Sequence, residues 1–228
     1  MSILILDTES TGLNEPQVNE LGYVKVDSLE TLEVLDTFEQ RYKPDKPSEL
    51  GALMTHNILD SELVDCSSYL TASLPIETTY VIGHNIDYDM GVLNLTNADI
   101  KRICTKALAS YFLPELDSHR QSALLYYFEG DEARAKLLQA HSALPDVMNC
   151  RLLLGHLLDL ICDKFPKIPR ADLTIEQLYA ISEEARIPVV MPFGKHRGEY
   201  IKDIPLGYKS WLLKQPDVDP YLVKALKG

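Results

Sequence analysis

The chain has 228 residues, of which 46% are hydrophobic and 25% are charged, and its formal net charge is −12. This length suits one domain, or one domain with a small appendix, and the composition is ordinary for a globular protein. The acidity argues against a protein that coats nucleic acid through its overall charge, although it is compatible with an enzyme that gathers carboxylates around metal ions.

Strand patterns dominate the first hundred residues. Short apolar runs predict five strands, at 2–7, 21–26, 34–42, 80–83 and 100–104. Helical spacing follows, and we predict helices beginning at Ser61 and at 86–95, 106–112, 118–128 and 145–165. Three strands followed by alternating strands and helices indicate an α/β sandwich with a mixed sheet, made of an antiparallel meander plus parallel strands.

The C-terminal quarter begins with a predicted linker. Lys164–Asp172 contains two prolines and several charges. Thr174 is predicted to cap a helix that extends to about Arg186, and two short helical patterns end the chain. We therefore divide the chain into a domain at 1–168 and, at 169–228, a linker helix with a small basic α-rich module.

The charge distribution supports this division. Residues 190–228 contain seven Lys/Arg and four Asp/Glu, a local net charge of +3, whereas the rest of the chain has a net charge of −15. An acidic catalytic body followed by a mildly basic module explains this asymmetry, and a chance fluctuation over a short segment explains it about equally well.

Cysteine spacing and the first residues bear on the cellular compartment. The four cysteines contain no C-x-x-C pair, so we predict neither a zinc site nor a disulfide framework. Reduced thiols in a cytoplasmic protein are the expectation. The first residues lead directly into an apolar strand without a basic region or cleavage site, so no signal peptide is predicted. The most apolar later stretch, 147–162, is interrupted by charged residues and is not expected to span a membrane.

Four acidic residues and one histidine stand at informative positions. Asp7 and Glu9 form an Asp-x-Glu pair at the end of the first strand, where alternate residues face the same side, so both carboxylates can reach one point. Asp89 follows the fourth strand, and His141 precedes Asp146 by five residues at the start of a helix. Each feature alone is weak, because a strand-end or helix-capping Asp and a loop His are common structural features.

Together, these segments resemble the DEDDh-type 3′→5′ exonucleases in order and spacing. The sequences DTESTGL at 7–13, GHNIDYD at 83–89 and HSALPD at 141–146 are similar to the three motifs of that family. The stretch 44–58 is similar to the family's sequence between the first two motifs. Ser10 replaces the usual Thr and Asp87 adds an acid, whereas Asp89 has the spacing of the family's ligand.

The resemblance implies a ribonuclease H-like fold with a mixed five-stranded sheet flanked by helices. It also implies phosphodiester hydrolysis with two Mg²⁺ ions, for which Mn²⁺ can substitute, since an all-carboxylate site suits these ions. The implied metal ligands are Asp7, Glu9, Asp89 and Asp146. His141 would take the proton from the attacking water, a role suited to imidazole because its ordinary pKa lies near neutrality.

The first two motifs also imply contacts with the 3′-terminal nucleotide. A glycine lets backbone approach a ligand closely, which fits the first of these segments. The implied substrate-binding residues are Thr8, Ser10, Thr11, Gly12, Leu13, His84, Asn85 and Tyr88.

The C-terminal sequence narrows the resemblance. FGKHRG at 193–198 and YKSWL at 208–212 are similar to the tail of the bacterial exodeoxyribonuclease X family. This implies that the substrate is DNA, as single strands or as 3′ ends of a duplex, and that the products are nucleoside 5′-monophosphates. Lys195, His196 and Arg197, flanked by glycines, could donate hydrogen bonds to phosphates.

The aromatic residues of the tail have two possible roles. Tyr200 and Trp211 could stack on bases. Alternatively, Phe193, Tyr208 and Trp211 could form a small core, and we favour packing for Trp211 because it lies within a helical apolar pattern.

Three other functions stay open. An exoribonuclease on the same scaffold would have the same motifs, so RNA is an alternative substrate and only the tail favours DNA. A proofreading subunit bound to a polymerase is also possible, although the additional tail counts against it, and the sequence leaves protein partners unknown. A catalytically silent binding module is a different class, and the presence of all five chemical residues argues against it.

Overall fold

A computed structural model describes residues 2–139, 141–165 and 168–228. These residues form a six-stranded sheet with helices on both faces. The strands are β1 (Ser2–Ser10), β2 (Val18–Val26), β3 (Val34–Lys43), β4 (Ser67–Ser68), β5 (Thr78–Gly83) and β6 (Lys101–Cys104). The helices are α1 (Leu50–His56), α2 (Ile86–Val92), α3 (Thr105–Phe112), α4 (Gln121–Glu129), α5 (Ala133–Lys136), α6 (Ala143–Lys164), α7 (Ile175–Ala185), α8 (Leu206–Leu212) and α9 (Pro220–Lys227).

The sheet has the strand order β4-β3-β2-β1-β5-β6. β1, β2 and β3 form an antiparallel meander, and β5 and β6 run parallel to β1. This confirms the predicted mixed sheet but corrects the strand count from five to six. The additional strand, β4, consists of two exposed serines that pair with Tyr42 and Lys43, so no hydrophobic pattern marks it.

The prediction of a helix that begins at Ser61 is wrong. The chain forms a single 3₁₀ turn at Asp60–Glu62, and the helix of this region is α1, further upstream. α1 buries only His56, whereas its Leu50 and Met54 are 83% and 76% exposed. It therefore lacks the apolar stripe from which a helix is recognised in a sequence.

The two faces of β1 pack against different helices. Ile3 and Ile5 belong to a large core that contains residues of α6, whereas Leu4 and Leu6 belong to a core that contains residues of α2. Because strand side chains alternate, Asp7 and Glu9 continue the α6 side of β1, and Thr8 and Ser10 continue the α2 side. This alternation determines which functional groups can meet at the end of the strand.

α6 begins in close contact with β2. A Cβ added to Gly22 would lie 2.8 Å from backbone atoms of Ala143 and Leu144, so a side chain here would push the helix away. The glycine therefore lets the start of α6 reach the sheet beside β1. None of the helices in the described ranges combines the length and apolar character needed to cross a membrane.

The last segment of the chain has its own small core, and we call residues 189–228 the C-terminal module. Its buried side chains are Met191, Ile201, Ile204, Leu212, Leu222 and Leu226. The preceding helix, α7, has the predicted Thr174 cap and packs on the large core through Ile175 and Leu178. The domain boundary at 168 stays a prediction.

The expected packing of the module's aromatic residues is wrong in part. Trp211 is 53% exposed and Phe193 is 47% exposed, and only Tyr208 packs against the small core. α8 directs Leu212 inward, so the preceding residue, Trp211, lies outside the buried stripe. The Trp211 ring lies against Tyr208, with ring centroids 5.4 Å apart.

Candidate active site

Three predicted metal ligands meet at the end of β1. Asp7, Glu9 and Asp146 each offer a carboxylate oxygen, and these oxygens lie within 4.8 Å of one another. Asp7 and Glu9 share the α6 side of β1, and Asp146 lies in the first turn of α6. All three side chains are half-buried. The group could hold a metal ion, because several carboxylate oxygens converge there.

The fourth predicted ligand, Asp89, lies beside this group but not within it. Asp89 is buried, and its Oδ1 accepts hydrogen bonds from the Thr8 backbone N–H at 3.0 Å and from the Thr8 hydroxyl at 2.7 Å. Thr8 faces the α2 side of β1, so these bonds hold Asp89 on that side. Asp89 remains close enough to repel the charge of Asp7.

Simultaneous ionisation of these carboxyl groups is unfavourable, because each is partly or fully buried and lies close to the others. Burial, followed by repulsion from Asp146, Glu20 and Asp89, raises the pKa of Glu9 to about 8. Burial and neighbouring carboxylates, chiefly Asp89, raise the pKa of Asp7 well above its usual range. Burial also raises the pKa values of Asp89 and Asp146. A divalent cation would offset this repulsion, so the donor set and its electrostatics fit a metal ion.

His141 lies at the start of the Asp146 segment, with its side chain exposed. Its backbone N–H donates to Asp146 Oδ2 at 2.7 Å, and its φ of 70° is in the left-handed region. His141 lines the same cavity as Asp7 and Asp146. The structure thus brings the predicted base and three of the predicted ligands to one place.

A buried carboxylate on β2, Glu20, holds the start of α6. Its Oε2 accepts hydrogen bonds from the Ala143 backbone N–H at 2.9 Å and from the Ser142 hydroxyl at 3.2 Å. Its Oε1 accepts from Arg41 Nε at 3.0 Å. Glu20 therefore fixes the chain at Ser142 and Ala143, between His141 and Asp146.

The loop after β1 has a conformation that requires glycine. Gly12 has a φ of 144°, and a Cβ at this position would lie 2.3 Å from the Glu49 side chain. The Tyr88 hydroxyl donates to the Gly12 carbonyl at 2.9 Å and lies 2.6 Å from the Ser10 hydroxyl. Serine therefore supplies the hydroxyl of the usual threonine at this position.

Two cavities open beside the carboxylate group. The first has a volume of about 370 Å³, and we call it the loop cavity. It is lined by Thr8, Glu9, Ser10, Gly12, Leu13, Glu49, Gly51, Ala52, Thr55, His56 and Tyr88. The second, which we call the cleft cavity, has a volume of about 620 Å³. It is lined by Asp7, Met54, Thr55, His84, Asn85, Lys106, Arg120, Gln121, Ser122, Leu137, His141 and Asp146.

The predicted substrate-binding residues divide between these cavities. Five of them line the loop cavity, with Leu13 82% exposed at its edge. His84 and Asn85 line the cleft cavity. Thr11 is fully buried and lines neither cavity, and its Oγ1 accepts a hydrogen bond from the Gln17 backbone N–H at 3.1 Å. Its hydroxyl therefore closes the loop internally.

His84 connects two segments at the edge of the cleft cavity. Its Nε2 donates to the His119 carbonyl at 2.8 Å, since a carbonyl can only accept, and its Nδ1 lies 3.0 Å from the Thr105 hydroxyl. Burial, the largest cause, lowers the pKa of His84 to about 4. The ring is therefore neutral near neutral pH, and its two nitrogens bind the protein.

Asp87, the additional acid of the second motif, faces away from the metal ligands. Its carboxylate binds Arg186 Nη1 at 2.7 Å and Arg102 Nη1 at 3.3 Å. Arg186 is 5% exposed, donates to the Tyr221 hydroxyl at 2.8 Å and lies over the Tyr221 ring. Asp87 thus belongs to a contact that joins α2, the end of α7 and α9.

The predicted phosphate-binding residues of the tail lie elsewhere on the surface. Lys195 and Arg197 are exposed, and His196 Nδ1 lies 2.9 Å from Glu199 Oε2. None of the three lines the loop or cleft cavity.

Several site residues were missed by the sequence analysis. Lys106 and Arg120 line the cleft cavity, and Gln121 Nε2 donates to the Asp146 carbonyl at 3.0 Å. Glu20 and Glu49 hold the two loops that border the site. Only Lys106 carried a usable signal, because it follows a predicted parallel strand, and ligands bind beyond the carboxyl ends of such strands.

Comparison with known proteins gives a relative in sequence and several in structure. A DNA polymerase III subunit epsilon from Buchnera aphidicola is 27% identical over 104 residues, which are 40% of this chain and 42% of that protein. The match therefore spans less than half of the relative.

Solved structures share the fold. Exonuclease X in complex with 5′-overhanging duplex DNA has a TM-score of 0.57 at 23% identity, covering 79% of this chain and 99% of that one. The nuclease domain of 3′hExo, a DEDDh family member bound to rAMP, has a TM-score of 0.52 at 16% identity, covering 69% and 92%. Exonuclease I of E. coli in complex with a dA16 oligonucleotide has a TM-score of 0.54 at 20% identity, covering 73% and 41%. At these identities the likeness establishes the ribonuclease H-like exonuclease fold.

A match to a protein-family model establishes the family of the chain. The model described as Exonuclease (RNase T) matches residues 4–154. This range is well over half of the chain and contains the end of β1, α2, the His141 segment and the first turns of α6. The chain therefore belongs to this family of metal-dependent exonucleases.

Proposed function

We propose that the protein is a 3′→5′ exodeoxyribonuclease that removes nucleoside 5′-monophosphates from the 3′ end of DNA. The observation that carries this proposal is the convergence of Asp7, Glu9 and Asp146 between two cavities, with His141 at the edge. A centre placed between two cavities can hold the terminal nucleoside on one side and the remaining strand on the other.

The site would hold two Mg²⁺ ions, with Mn²⁺ as a substitute. Asp7, Glu9 and Asp146 would be ligands, and Asp89 would complete the set from the α2 side through a carboxylate of which Thr8 engages only Oδ1. When bound, the ions would supply a nucleophilic water and stabilise charge on the phosphate and on the departing 3′ oxygen. The raised carboxyl pKa values support this assignment, because ligation favours the charged forms.

His141 would act as the general base. Its side chain lines the cleft cavity and has no hydrogen bond to any of the described residues, while its backbone binds Asp146 and the following residues bind Glu20. The imidazole can therefore reorient while hydrogen bonds hold its backbone segment, and accept the proton of the attacking water.

The loop cavity would receive the 3′-terminal nucleoside. Its walls contain no lysine or arginine, and they combine the exposed Leu13 with the hydroxyl groups of Thr8, Ser10 and Tyr88. An apolar edge suits a base, and hydroxyl groups suit a sugar.

DNA is favoured over RNA by the resemblance of residues 193–212 to the tail of the exodeoxyribonuclease X family and by the fold shared with Exonuclease X, which was solved in complex with duplex DNA. The exposed Lys195 and Arg197, the exposed rings of Phe193 and Trp211 and the charge of +3 in residues 190–228 support binding of a single strand, whether DNA or RNA. His196 would contribute less than its neighbours, since Glu199 already engages its ring.

Digestion of matched DNA and RNA strands that carry a 5′ label tests the proposal. With Mg²⁺, the DNA strand should give a descending ladder of labelled products, while excess chelator should abolish cleavage. A ladder from RNA alone would replace DNA by RNA as the substrate. Release of the 5′ label as the first product, cutting of a closed circle, or full activity in chelator would overturn the assignment.

A further inference from the structure

The cleft cavity differs in charge from the loop cavity beside it. The carboxylate group borders both, through Glu9 on one side and through Asp7 and Asp146 on the other. The loop cavity has no cationic residue in its walls, whereas Lys106 and Arg120 line the cleft cavity. The two cavities therefore present different chemistry on the two sides of the centre.

Lys106 and Arg120 are available for a ligand. Both side chains are exposed, and neither forms an ion pair with a carboxylate in the described ranges. Several arginines of this acidic chain are instead bound to carboxylates, as Arg41 is to Glu20 and Arg186 is to Asp87. The cleft cavity therefore offers positive charge to a ligand beside the carboxylate group, although the protein as a whole is acidic.

His84 connects the two backbone segments from which these cations extend. Its Nδ1 lies 3.0 Å from the hydroxyl of Thr105, the residue before Lys106. Its Nε2 donates at 2.8 Å to the carbonyl of His119, the residue before Arg120. Thr105 is fully buried, so the segment that carries Lys106 has little freedom. The half-buried His84 ring thus joins the two backbone segments that carry the cations.

We propose that Lys106 and Arg120 bind the phosphodiester groups of the substrate strand on the 5′ side of the scissile bond. This inference deepens the proposed function and rests on it. With the terminal nucleoside in the loop cavity and the scissile phosphate at the carboxylates, the next phosphates enter the cleft cavity. Lysine and arginine are the side chains that recognise such phosphates.

The test uses two substrates that differ in their upstream phosphates. A dinucleoside monophosphate contains the scissile phosphate alone, whereas a longer DNA strand also contains the upstream ones. The full-length Lys106→Gln/Arg120→Gln variant should lose kcat/KM on the long strand by about tenfold per cation. On the dinucleoside monophosphate its kcat/KM should stay within about threefold of the wild type.

The salt dependence gives a second readout that a purely structural defect would not produce. On the long strand, the slope of log KM against log salt concentration should fall by roughly 0.7 for each phosphate contact removed. Lys106→Arg and Arg120→Lys should restore most of the loss. Lys164→Gln is the matched control, because Lys164 is an exposed cation at the opposite end of α6, about 27 Å along the helix from Asp146.

Neutral phosphates provide the reciprocal experiment. Methylphosphonates at the first two linkages upstream of the scissile bond should slow the wild type and leave the double variant unchanged. Equal losses on both substrates, or no loss on the long strand, would overturn the inference while leaving the exonuclease assignment intact. A wild type that cleaves neither substrate would instead contradict the proposed function.

Discussion

The body of the protein, by which we mean the described residues before the C-terminal module, buries the acidic groups of the candidate site, whereas the module exposes its candidate phosphate-binding cations. In the body, the carboxyl groups of Asp7, Glu9 and Asp89 are partly or fully buried, and burial raises their pKa values. In the module, Lys195 and Arg197 stand in solvent above a core of six buried side chains. The body thus builds a fixed electrostatic site, whereas the module builds an exposed surface on a small support.

This difference teaches what each region can contribute. Pre-positioned carboxylates in a partly dry site are suited to chemistry, because their interactions with ions are strong there. Exposed cations are screened by salt and suit reversible contact with a polyanion. The Asp87–Arg186–Tyr221 contact joins the two regions on the side of α2 opposite the metal ligands.

The largest effect on activity is expected from a substitution in the body, at His141. His141→Ala should lower the single-turnover rate by about 10²–10⁴-fold, because a general base is lost. Its affinity for metal ions should hardly change, since the four carboxylates remain. Rapid-quench measurement at saturating Mg²⁺ checks this prediction, and a rate within about threefold of the wild type would remove His141 from the mechanism.

The junction between the regions should respond to Arg186. Arg186→Met removes hydrogen bonds to Asp87, Tyr221 and the Arg102 carbonyl. We expect a loss of about 1–3 kcal/mol in the free energy of unfolding, moderated because Asp87 is half exposed. Limited proteolysis should then cut residues 187–190 faster.

Tyr221→Phe is the matched control for this junction. It removes the hydroxyl that joins Arg186 and Glu183 but keeps the ring under the guanidinium, so its effect should be smaller. Unchanged proteolysis and unfolding of Arg186→Met would mean that the module is held by other contacts.

The metal-free body should lose stability as the pH rises, unlike the module. A carboxyl whose folded pKa is raised binds its proton more tightly when folded, so its contribution is full below the unfolded pKa and is lost as the pH rises through the folded value. For Glu9 this window runs from its ordinary 4.5 to about 8. Thermal unfolding in chelator should reveal a decrease on the order of 5 kcal/mol across this window.

Two controls assign that pH effect to the carboxylate group. Mg²⁺ should restore most of the lost stability at the upper end of the window, because the ion offsets the repulsion. Glu9→Gln should flatten the profile in chelator. A profile that is already flat in the wild type would show that the carboxylates do not repel one another as the structure indicates.

The module's surface should give the smallest effect. Lys195→Gln/Arg197→Gln should weaken binding of a long DNA strand a few-fold and reduce the salt dependence, while leaving hydrolysis of a dinucleoside monophosphate unchanged. Lys214→Gln, an exposed cation of the same module outside the glycine-flanked segment, is the control. Fluorescence anisotropy over a range of salt concentrations measures both, and an unchanged slope would assign the segment another role.

The sequence predicted those parts of the site that lie in short continuous patterns. Asp7 and Glu9 could be placed together because strand alternation is a local rule, and the mixed sheet followed from apolar runs. The contacts of Glu20 with Ser142 and Ala143 join residues more than 120 positions apart. A single charged residue on a strand has no periodicity, so neither its partners nor its burial could be predicted.

Two wrong predictions have similar causes. Trp211 and Leu212 both belong to an apolar helical pattern, but only one narrow face of the helix is buried. Leu212 lies on that face and Trp211 does not. The helix expected at Ser61 was inferred from Leu63 and Val64, of which only Leu63 is buried. Tertiary packing decides such cases, because a short helix can bury only one face.

Titration with Mn²⁺ tests the central claim, that the carboxylates at the end of β1 form the catalytic metal centre. We expect calorimetry near pH 8, where Glu9 is substantially ionised, to show two ions bound to the wild type and to His141→Ala. Asp7→Ala should lose high-affinity binding and strand cleavage together. Wild-type protein that degrades DNA without binding any ion, or Asp7→Ala protein that retains both ions and activity, would contradict the account.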